Sequence, residues 1–251
     1  MDDWEHAIPP FRGRLPGGAP IPRTDPGGSF DAKVMILGAY PAARVAQARV
    51  GVRRMNLPVQ VERTSFEQGV SASAKEIDAL YLAPLSLTRD DVLLIDLMPY
   101  FLANTRKTKG RSMADNIAEY EQLSGQPLGI EARPPERELV RIARSMPGNV
   151  DRLTAYLRRS RARLLLTLGS EAAAFVREQS YDAVNDRARD LFYSAPVAVD
   201  CLGLRTDIVH LAHPGLLMSG RGRRSGWPAR HHTWCRDRAP AIVAAALTRS
   251  S

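Results

Sequence analysis

Residues 163–179, "RLLLTLGSEAAAFVREQ", join an apolar run to a helical pattern through a single glycine. The residues of Leu164–Leu168 are apolar at nearly every position rather than at alternate ones, which predicts a strand that is covered on both faces. Gly169 ends that strand, and Ser170 is a candidate N-cap for the helix that follows. The stretch therefore predicts one strand–helix unit of an α/β protein.

The same order of strand and helix recurs along the chain. Other apolar runs of strand length are Val34–Leu37, Val92–Leu97, Val197–Val199 and Ile208–Leu211. Helical patterns occupy residues 73–85, 112–123, 134–146, 149–160, 170–179 and 236–249. The first of these has Ser73 as a candidate N-cap, with Glu76 three residues later. We therefore predict a three-layer α/β/α sandwich with a short, mostly parallel central sheet.

The domain division follows from composition. Residues 1–30 are rich in proline and glycine and show no apolar periodicity, so they predict an N-terminal arm that either wraps the domain or lies loose. Trp4 and Phe11 are the side chains that would hold it in place. Residues 31–251 form the single predicted domain, a size that permits a substantial buried core.

Charge and cysteine usage limit the function classes. The formal net charge is +8, which favours a polyanionic partner such as nucleic acid, although arginine-rich composition also follows from a GC-rich genome. Cys201 and Cys235 are the only two cysteines, too few for a disulfide scaffold, a four-cysteine zinc site or a cysteine-held iron–sulfur cluster from this chain alone. With no secretory leader pattern and no apolar run of membrane-spanning length, we expect a cytoplasmic protein.

Three side chains capable of chemistry follow predicted strands. Functional groups of such sheets gather at the carboxyl ends of the parallel strands, which we call the rim of the sheet. We therefore expect Tyr40, Asp96 and His213 on this rim. His213 can offer a hydrogen bond to a leaving group or be a structural histidine bonded to a carbonyl. Asp96 is either a functional buried carboxyl or a turn residue, and Tyr40 either stacks on a ring or closes its turn.

Several better-known motifs are absent or incomplete. "GAYPA" (residues 38–42) lacks the lysine and glycines of nucleotide-binding loops, and there is no Gly-x-Ser-x-Gly. His231 and His232 near Cys235 do not have the usual spacing of metal ligands, so we predict no metal and no cofactor. Two basic stretches, residues 104–111 and 220–226, are either solvated surface or phosphate contacts.

Four segments, in order, carry a resemblance to a known family. They are "VMILGAYPA" (34–42), "LTRDDVLLIDLMPY" (87–100), "RLLLTLGSEAA" (163–173) and "HLAHPGLLM" (210–218). Together they resemble the uracil-DNA glycosylase superfamily, closest to the branch whose thermophilic members carry an iron–sulfur cluster, but without the cluster cysteines. The resemblance implies that family's fold and a monofunctional DNA glycosylase of base-excision repair. Such an enzyme flips uracil or a related deaminated base from single- or double-stranded DNA and leaves an abasic site.

The resemblance also implies a role for each site residue. The base pocket would consist of Gly38, Ala39, Tyr40, Pro41, Phe66 and Asp96. Asp96 would read the base edge, and His213 would stabilise the departing base anion at O2. Leu216 and Leu217 would enter the space that the base leaves in the duplex. The phosphate contacts would be Lys107, Lys109, Arg111, Arg221, Arg223 and Arg224.

Departures from the family pattern leave alternatives open. The turn has no side chain that positions water in other branches, the loop reads His-Pro-Gly instead of His-Pro-Ser, and Asp96 stands where the family has asparagine. Asp96 can accept from uracil N3–H while a backbone N–H serves O4, favour another base, or position the water. The rival functions are a nucleic-acid- or nucleotide-binding protein that does not cleave, and a hydrolase of free nucleosides. We expect a monomer.

Overall fold

The computed structural model describes residues 4–108, 110–219, 222 and 224–248, and its strands form one large sheet and one hairpin. The strands are β1 (Gly27–Gly28), β2 (Val34–Gly38), β3 (Ala43–Val50), β4 (Arg53–Val61), β5 (Val92–Asp96), β6 (Leu164–Leu168), β7 (Val197–Cys201) and β8 (Leu204–Leu211). The large sheet has the order β1-β5-β2-β6-β8-β7, and β3 pairs with β4 separately.

The four central strands β5, β2, β6 and β8 are parallel, whereas β1 and β7 pair antiparallel at the two edges. Every residue of β2, β5 and β6 is buried. Because successive residues of a strand point to opposite faces, uniform burial means that both faces of the sheet are covered. The predicted α/β class with a mostly parallel central sheet is therefore confirmed.

The helices lie between and after these strands, except for one short helix that precedes them. They are α1 (Trp4–Ala7), α2 (Ala72–Ile77), α3 (Met113–Ser124), α4 (Glu136–Ser145), α5 (Asn149–Arg159), α6 (Ser170–Val176), α7 (Tyr181–Asp186), α8 (Ala188–Leu191), α9 (Pro214–Met218), α10 (Trp227–Asp237) and α11 (Ala239–Thr248). After α2 the chain continues as a π-helical turn (Asp78–Leu82) and a 3₁₀ turn (Ala83–Leu85). Within the residues that the structure describes, no helix has the length and apolarity needed to cross a membrane.

Two predicted helix caps are wrong by one or two residues. The N-cap of α2 is Ser71, whose hydroxyl accepts a hydrogen bond from the Ala74 backbone N–H at 3.2 Å, and Ser73 lies inside the helix. Gly169 is the N-cap of α6, and Ser170 is its first residue. Gly169 has φ of 89°, a conformation that favours glycine, so the sharp turn from strand to helix places the cap there.

The hairpin of β3 and β4 is absent from the sequence prediction. Gly51 turns the chain between the two strands with φ of 58°. Met55 and Leu57 on β4 are buried in a small cluster with Ile117 of α3, which anchors the hairpin to the domain. Since β3 starts directly after the turn at residues 38–42, the hairpin leaves the sheet from the rim where the functional residues are expected.

From Trp4 onward the N-terminal arm packs against the domain. Trp4 is buried and meets Tyr156 edge to face at 5.5 Å, and Phe11 stacks on Tyr100 at 4.8 Å. Farther along, β1 adds to the edge of the large sheet by pairing with β5. The described part of the arm therefore wraps the domain.

Candidate functional site

The carboxyl ends of the parallel strands bring two predicted site segments into contact. Gly38 and Asp96 are register partners on β2 and β5. Beyond them the Leu97 N–H donates to the Gly38 carbonyl, and the Met98 N–H donates to the Ala39 carbonyl, each at 3.0 Å. The turn at residues 38–42 is thus tied to the segment after Asp96 by backbone hydrogen bonds.

Gly38, Asp96 and Phe66 are packed closely together. A Cβ atom added to Gly38 would lie 2.6 Å from Oδ1 of Asp96 and 2.7 Å from Cζ of Phe66. Phe66 is buried with φ of 56°, and Arg89 donates to its carbonyl at 2.7 Å. The predicted pocket residue Phe66 therefore does lie at the base of the turn, where only glycine leaves room for it.

Asp96 is a buried carboxyl with one unpartnered oxygen. Its side chain accepts a hydrogen bond from Ser65, while Oδ2 has no partner among the described residues. Burial, reinforced by the neighbouring Glu62 carboxyl, raises the pKa of Asp96 to about 8, against the opposing effects of Ser65 and Arg152. At neutral pH this carboxyl therefore carries a proton and can both donate and accept a hydrogen bond.

A buried polar pair on α5 holds the backbone beneath this carboxyl. Arg152 donates through Nη2 to the carbonyls of Asp96 and Leu97, at 2.8 and 3.0 Å, and through Nε to Oδ1 of Asn149 at 3.0 Å. Asn149 itself donates to the Leu97 carbonyl at 3.1 Å. The guanidinium thus fixes the end of β5 by its backbone. The sequence prediction missed this pair, although both residues lie on the apolar stripe of an amphipathic helix.

Glu62 is a second buried carboxyl that the sequence prediction missed. It follows β4, and its Oε2 accepts from the Ala42 N–H at 2.9 Å while Oε1 accepts from the Ser71 hydroxyl at 2.6 Å. Burial raises the pKa of Glu62, and its hydrogen bonds act against that shift. The carboxyl joins the end of the turn, the hairpin and the start of α2.

Tyr40 faces a charged cluster on the rim. The Arg133 guanidinium lies 4.8 Å from the centre of the Tyr40 ring and donates to Oε1 of Glu171 at 2.8 Å. Burial is the main reason that the pKa of Tyr40 is raised above 10.0. Tyr40 therefore keeps its proton at neutral pH and has no capacity to act as a general base.

His213 lies just beyond β8 on the same rim. The hydroxyl of Tyr81 donates to the Ala212 carbonyl, and Tyr193 accepts from the Ala212 N–H at 3.2 Å, which fixes the backbone before it. Nδ1 of His213 accepts from the Gly215 N–H at 3.1 Å. Burial, and secondly the Arg133 charge, lower the pKa of His213 to about 4. The imidazole is therefore neutral at pH 7 with its proton on Nε2, which is a hydrogen-bond donor.

Helix α9 presents a different apolar side chain from the one expected. Leu217, predicted to enter a duplex, is buried in the main core, and Leu216 packs partly against that core. Met218 is 51% exposed instead. With about 100° between successive residues, a single helical turn that buries position 217 directs position 218 outward.

The predicted phosphate contacts are described only in part. Lys107 and Arg224 are exposed, and Arg111 forms an ion pair with Glu119. Lys109, Arg221 and Arg223 lie outside the described residues.

Of the two histidines of α10, His231 is buried among structural contacts and His232 is exposed. His231 is buried, with Nε2 at 2.6 Å from the Leu80 carbonyl and its ring against Tyr81. In the described ranges, no group of three or more His, Cys, Asp or Glu side chains is placed to hold a metal ion.

The rim can therefore offer a neutral imidazole donor and a protonated carboxyl to a planar polar ligand. Pro41 and Ala39 are buried parts of the turn that frames this position. Comparison of the sequence with models of known protein families and with curated proteins finds no match.

Proposed function

We propose that this chain is a monofunctional DNA glycosylase that releases uracil or a related deaminated base and leaves an abasic site. The observation that carries the proposal is the convergence of the turn at 38–42, Asp96 and His213 on one edge of a mostly parallel sheet. Three of the four segments that resemble uracil-DNA glycosylases supply these groups. The proposal includes that family's three-layer fold, and a monomer acting on DNA in the cytoplasm.

Asp96 reads the base in its protonated form. A neutral carboxyl donates through O–H and accepts through C=O, so it can serve uracil O4 and N3–H as an asparagine amide does. The support for this role is the burial of Asp96 together with the unpartnered Oδ2 atom. A base that reaches this carboxyl also comes into contact with the Phe66 ring beside Gly38.

His213 stabilises the leaving group. When the bond between the sugar C1′ and the base N1 breaks, the bonding electrons pass to the base, and negative charge develops at O2. A fixed Nε2–H donor favours that charge without transferring a proton. Water then adds to the sugar cation and loses a proton to solvent. This scheme requires no side chain of the turn to act as a general base, and Tyr40 in that turn is protonated.

Extrusion of the base exposes a gap in the duplex. Apolar side chains that fill such a gap offset part of the unstacking free energy. We assign this role to the exposed Met218 together with Leu216, in place of the buried Leu217. We assign phosphate contacts to Lys107, Arg111 and Arg224, which are exposed, and to Lys109, Arg221 and Arg223.

A lesion panel tests the proposal. Oligonucleotides with a single deoxyuridine, hypoxanthine or xanthine, single-stranded and duplex, are incubated with the wild type and with Asp96→Asn, and abasic sites are detected by alkaline cleavage. We expect release of at least one base by the wild type and retained or improved uracil release by Asp96→Asn. Intact oligonucleotides throughout would refute the enzymatic proposal. Loss of uracil release in Asp96→Asn would assign the carboxylate to water activation.

The second candidate function is nucleic-acid or nucleotide binding without cleavage. The specific observation in its favour is the absence of an ionised carboxylate or a free amide in the turn, with Tyr40 held protonated. It predicts salt-sensitive DNA binding without base release, unchanged by His213→Ala.

A further inference from the structure

A groove of about 560 Å³, lined by both polar and apolar side chains, lies between the β3–β4 hairpin and the loop that precedes α3. We call it the hairpin groove. Gln47, Arg54 and Asn56 line it from the hairpin, and Asn104, Arg106 and Arg111 line it from the loop. Guanidinium and amide groups thus face the cavity from both sides.

Of the three described arginines that line the groove, Arg111 is ion-paired, whereas Arg54 and Arg106 are not. Glu119 pairs with Arg53 and Arg111, and the Asp115 carboxylate interacts with Lys107 and Arg111. Within the described residues, neither Arg54 nor Arg106 has a carboxylate partner. The positive charge of Arg54 and Arg106 therefore remains uncompensated along a groove that is open to solvent.

Across the hairpin, Arg54 is also placed directly opposite a like charge. Arg49 and Arg54 are register partners of the antiparallel pair. Like charges at opposed positions destabilise a two-stranded sheet. Arg49 does gain a hydrogen bond from its Nε to the Gly51 carbonyl at 3.0 Å, but this bond does not reduce the repulsion. A bound anion would do so.

We infer that the hairpin groove binds the backbone phosphates of a nucleic-acid strand. The groove is large enough for more than one small polar group. None of its described lining residues is aromatic, so it offers no surface on which a base can stack. Donors without a stacking surface suit a sugar–phosphate backbone better than a free nucleotide.

The position of the groove predicts which phosphates it takes if the proposed function holds. From Ala43 to Gln47 the strand advances about 13 Å, at about 3.3 Å per residue. One duplex strand advances about 3.4 Å per nucleotide. With β3 lying along the duplex axis, the groove would contact phosphates about four nucleotides from the nucleotide at the rim. This register rests on the proposed function, but phosphate binding in the groove does not.

Fluorescence anisotropy with a labelled, undamaged duplex tests the inference without requiring base release. Arg54→Ala and Arg106→Ala are compared with Arg163→Ala, which removes the same charge from an exposed position just before β6, at the amino ends of the parallel strands. We expect each groove variant to weaken binding by about 3- to 10-fold more than the control. The slope of log affinity against log salt should fall by about 1 per groove variant.

Two outcomes would overturn the inference. Equal effects of Arg54→Ala and Arg163→Ala would show that the groove adds only general charge. Displacement of the duplex by inorganic phosphate at constant ionic strength, lost in Arg54→Ala, would show that the groove is a site for a small free anion. Thermal unfolding of each variant checks that the fold is retained, and the undamaged duplex separates failure here from failure of the glycosylase proposal.

Discussion

Replacing Asp96 by asparagine tests whether this buried carboxyl is protonated in the folded protein. Its pKa is raised from 3.8 to about 8, so the folded state keeps a proton that the unfolded chain releases above pH 4. A group whose pKa is raised on folding contributes its full stability below the unfolded value and loses it as pH rises through the folded value. Asparagine does not ionise, so Asp96→Asn does not lose stability in this way as pH rises.

The size of the effect follows from the pKa difference. Each pKa unit corresponds to about 1.4 kcal/mol, so the shift sets an upper bound of about 6 kcal/mol well above pH 8, about 5 kcal/mol at pH 8 and about 4 kcal/mol at pH 7. Relaxation around the buried charge reduces these values, and about half of each bound is the expected result. For a protein of ordinary stability this is a large fraction of the total of about 5–15 kcal/mol.

Urea unfolding from about pH 4 to about pH 9 measures this difference in the free energy of unfolding between Asp96→Asn and the wild type. We expect the stability advantage of Asp96→Asn over the wild type to be small near pH 4, to increase up to about pH 8, and then to level off. Asp31→Asn is the matched control, because the Asp31 side chain is 84% exposed. An advantage that does not change with pH, or one that decreases as pH rises, would refute the protonated carboxyl.

Ionisation of Asp96 should also limit the catalytic activity at high pH. If neutral Asp96 reads the base, wild-type turnover falls above about pH 8, where the carboxyl ionises. Asp96→Asn should keep its activity there, which a pH–rate profile would show. If both the wild type and Asp96→Asn lose activity at high pH, the loss is due to the ionisation of another group.

Three further predictions concern the turn, the rim and α9. Gly38→Ala should destabilise the protein by about 1–3 kcal/mol in thermal or urea unfolding, because the new methyl would lie 2.6 Å from the Asp96 carboxyl; unchanged stability would disprove that close packing. Arg133→Met should raise the pKa of His213 and move the acid limb of the pH–rate profile to higher pH, since the Arg133 charge helps to lower it; an unmoved limb would contradict this coupling. Met218→Ala should slow base release from duplex DNA several-fold and spare single strands, whereas equal losses on both substrates would exclude a wedge.

Local pattern is sufficient to predict the central sheet and the edge where the site residues lie. Leu164–Leu168 and Val34–Leu37 are short, apolar at nearly every position and followed by glycine, and that pattern has few outcomes other than a buried parallel strand. The carboxyl ends of such strands share an edge, so the convergence of the turn, Asp96 and His213 follows from connectivity.

Tertiary contacts determine the features that the local sequence pattern does not predict, namely the hairpin, the partners of Arg152 and the protonation of Asp96. The β3–β4 hairpin is mostly exposed on β3, so its weak alternation gave no clear signal, and its stability comes from Met55 and Leu57 packing on α3. The position of Arg152 on the apolar stripe of α5 predicts that it is buried. The sequence pattern does not predict that it donates to the carbonyls of Asp96 and Leu97. The raised pKa of Asp96 comes first from its burial and second from the charge of Glu62, which is 34 positions away in the sequence and close only in the fold.

Single-turnover release of the excised base from a lesion-containing duplex, by the wild type and by His213→Ala, tests the central claim most directly. His232→Ala, which changes an exposed histidine of α10, is the control. We predict measurable release by the wild type and by the control. In His213→Ala the rate should fall by about 10²–10³-fold, with DNA affinity nearly unchanged, because one donor to the developing anion is lost. No release by the wild type, or equal rates in the wild type and His213→Ala, would contradict the account.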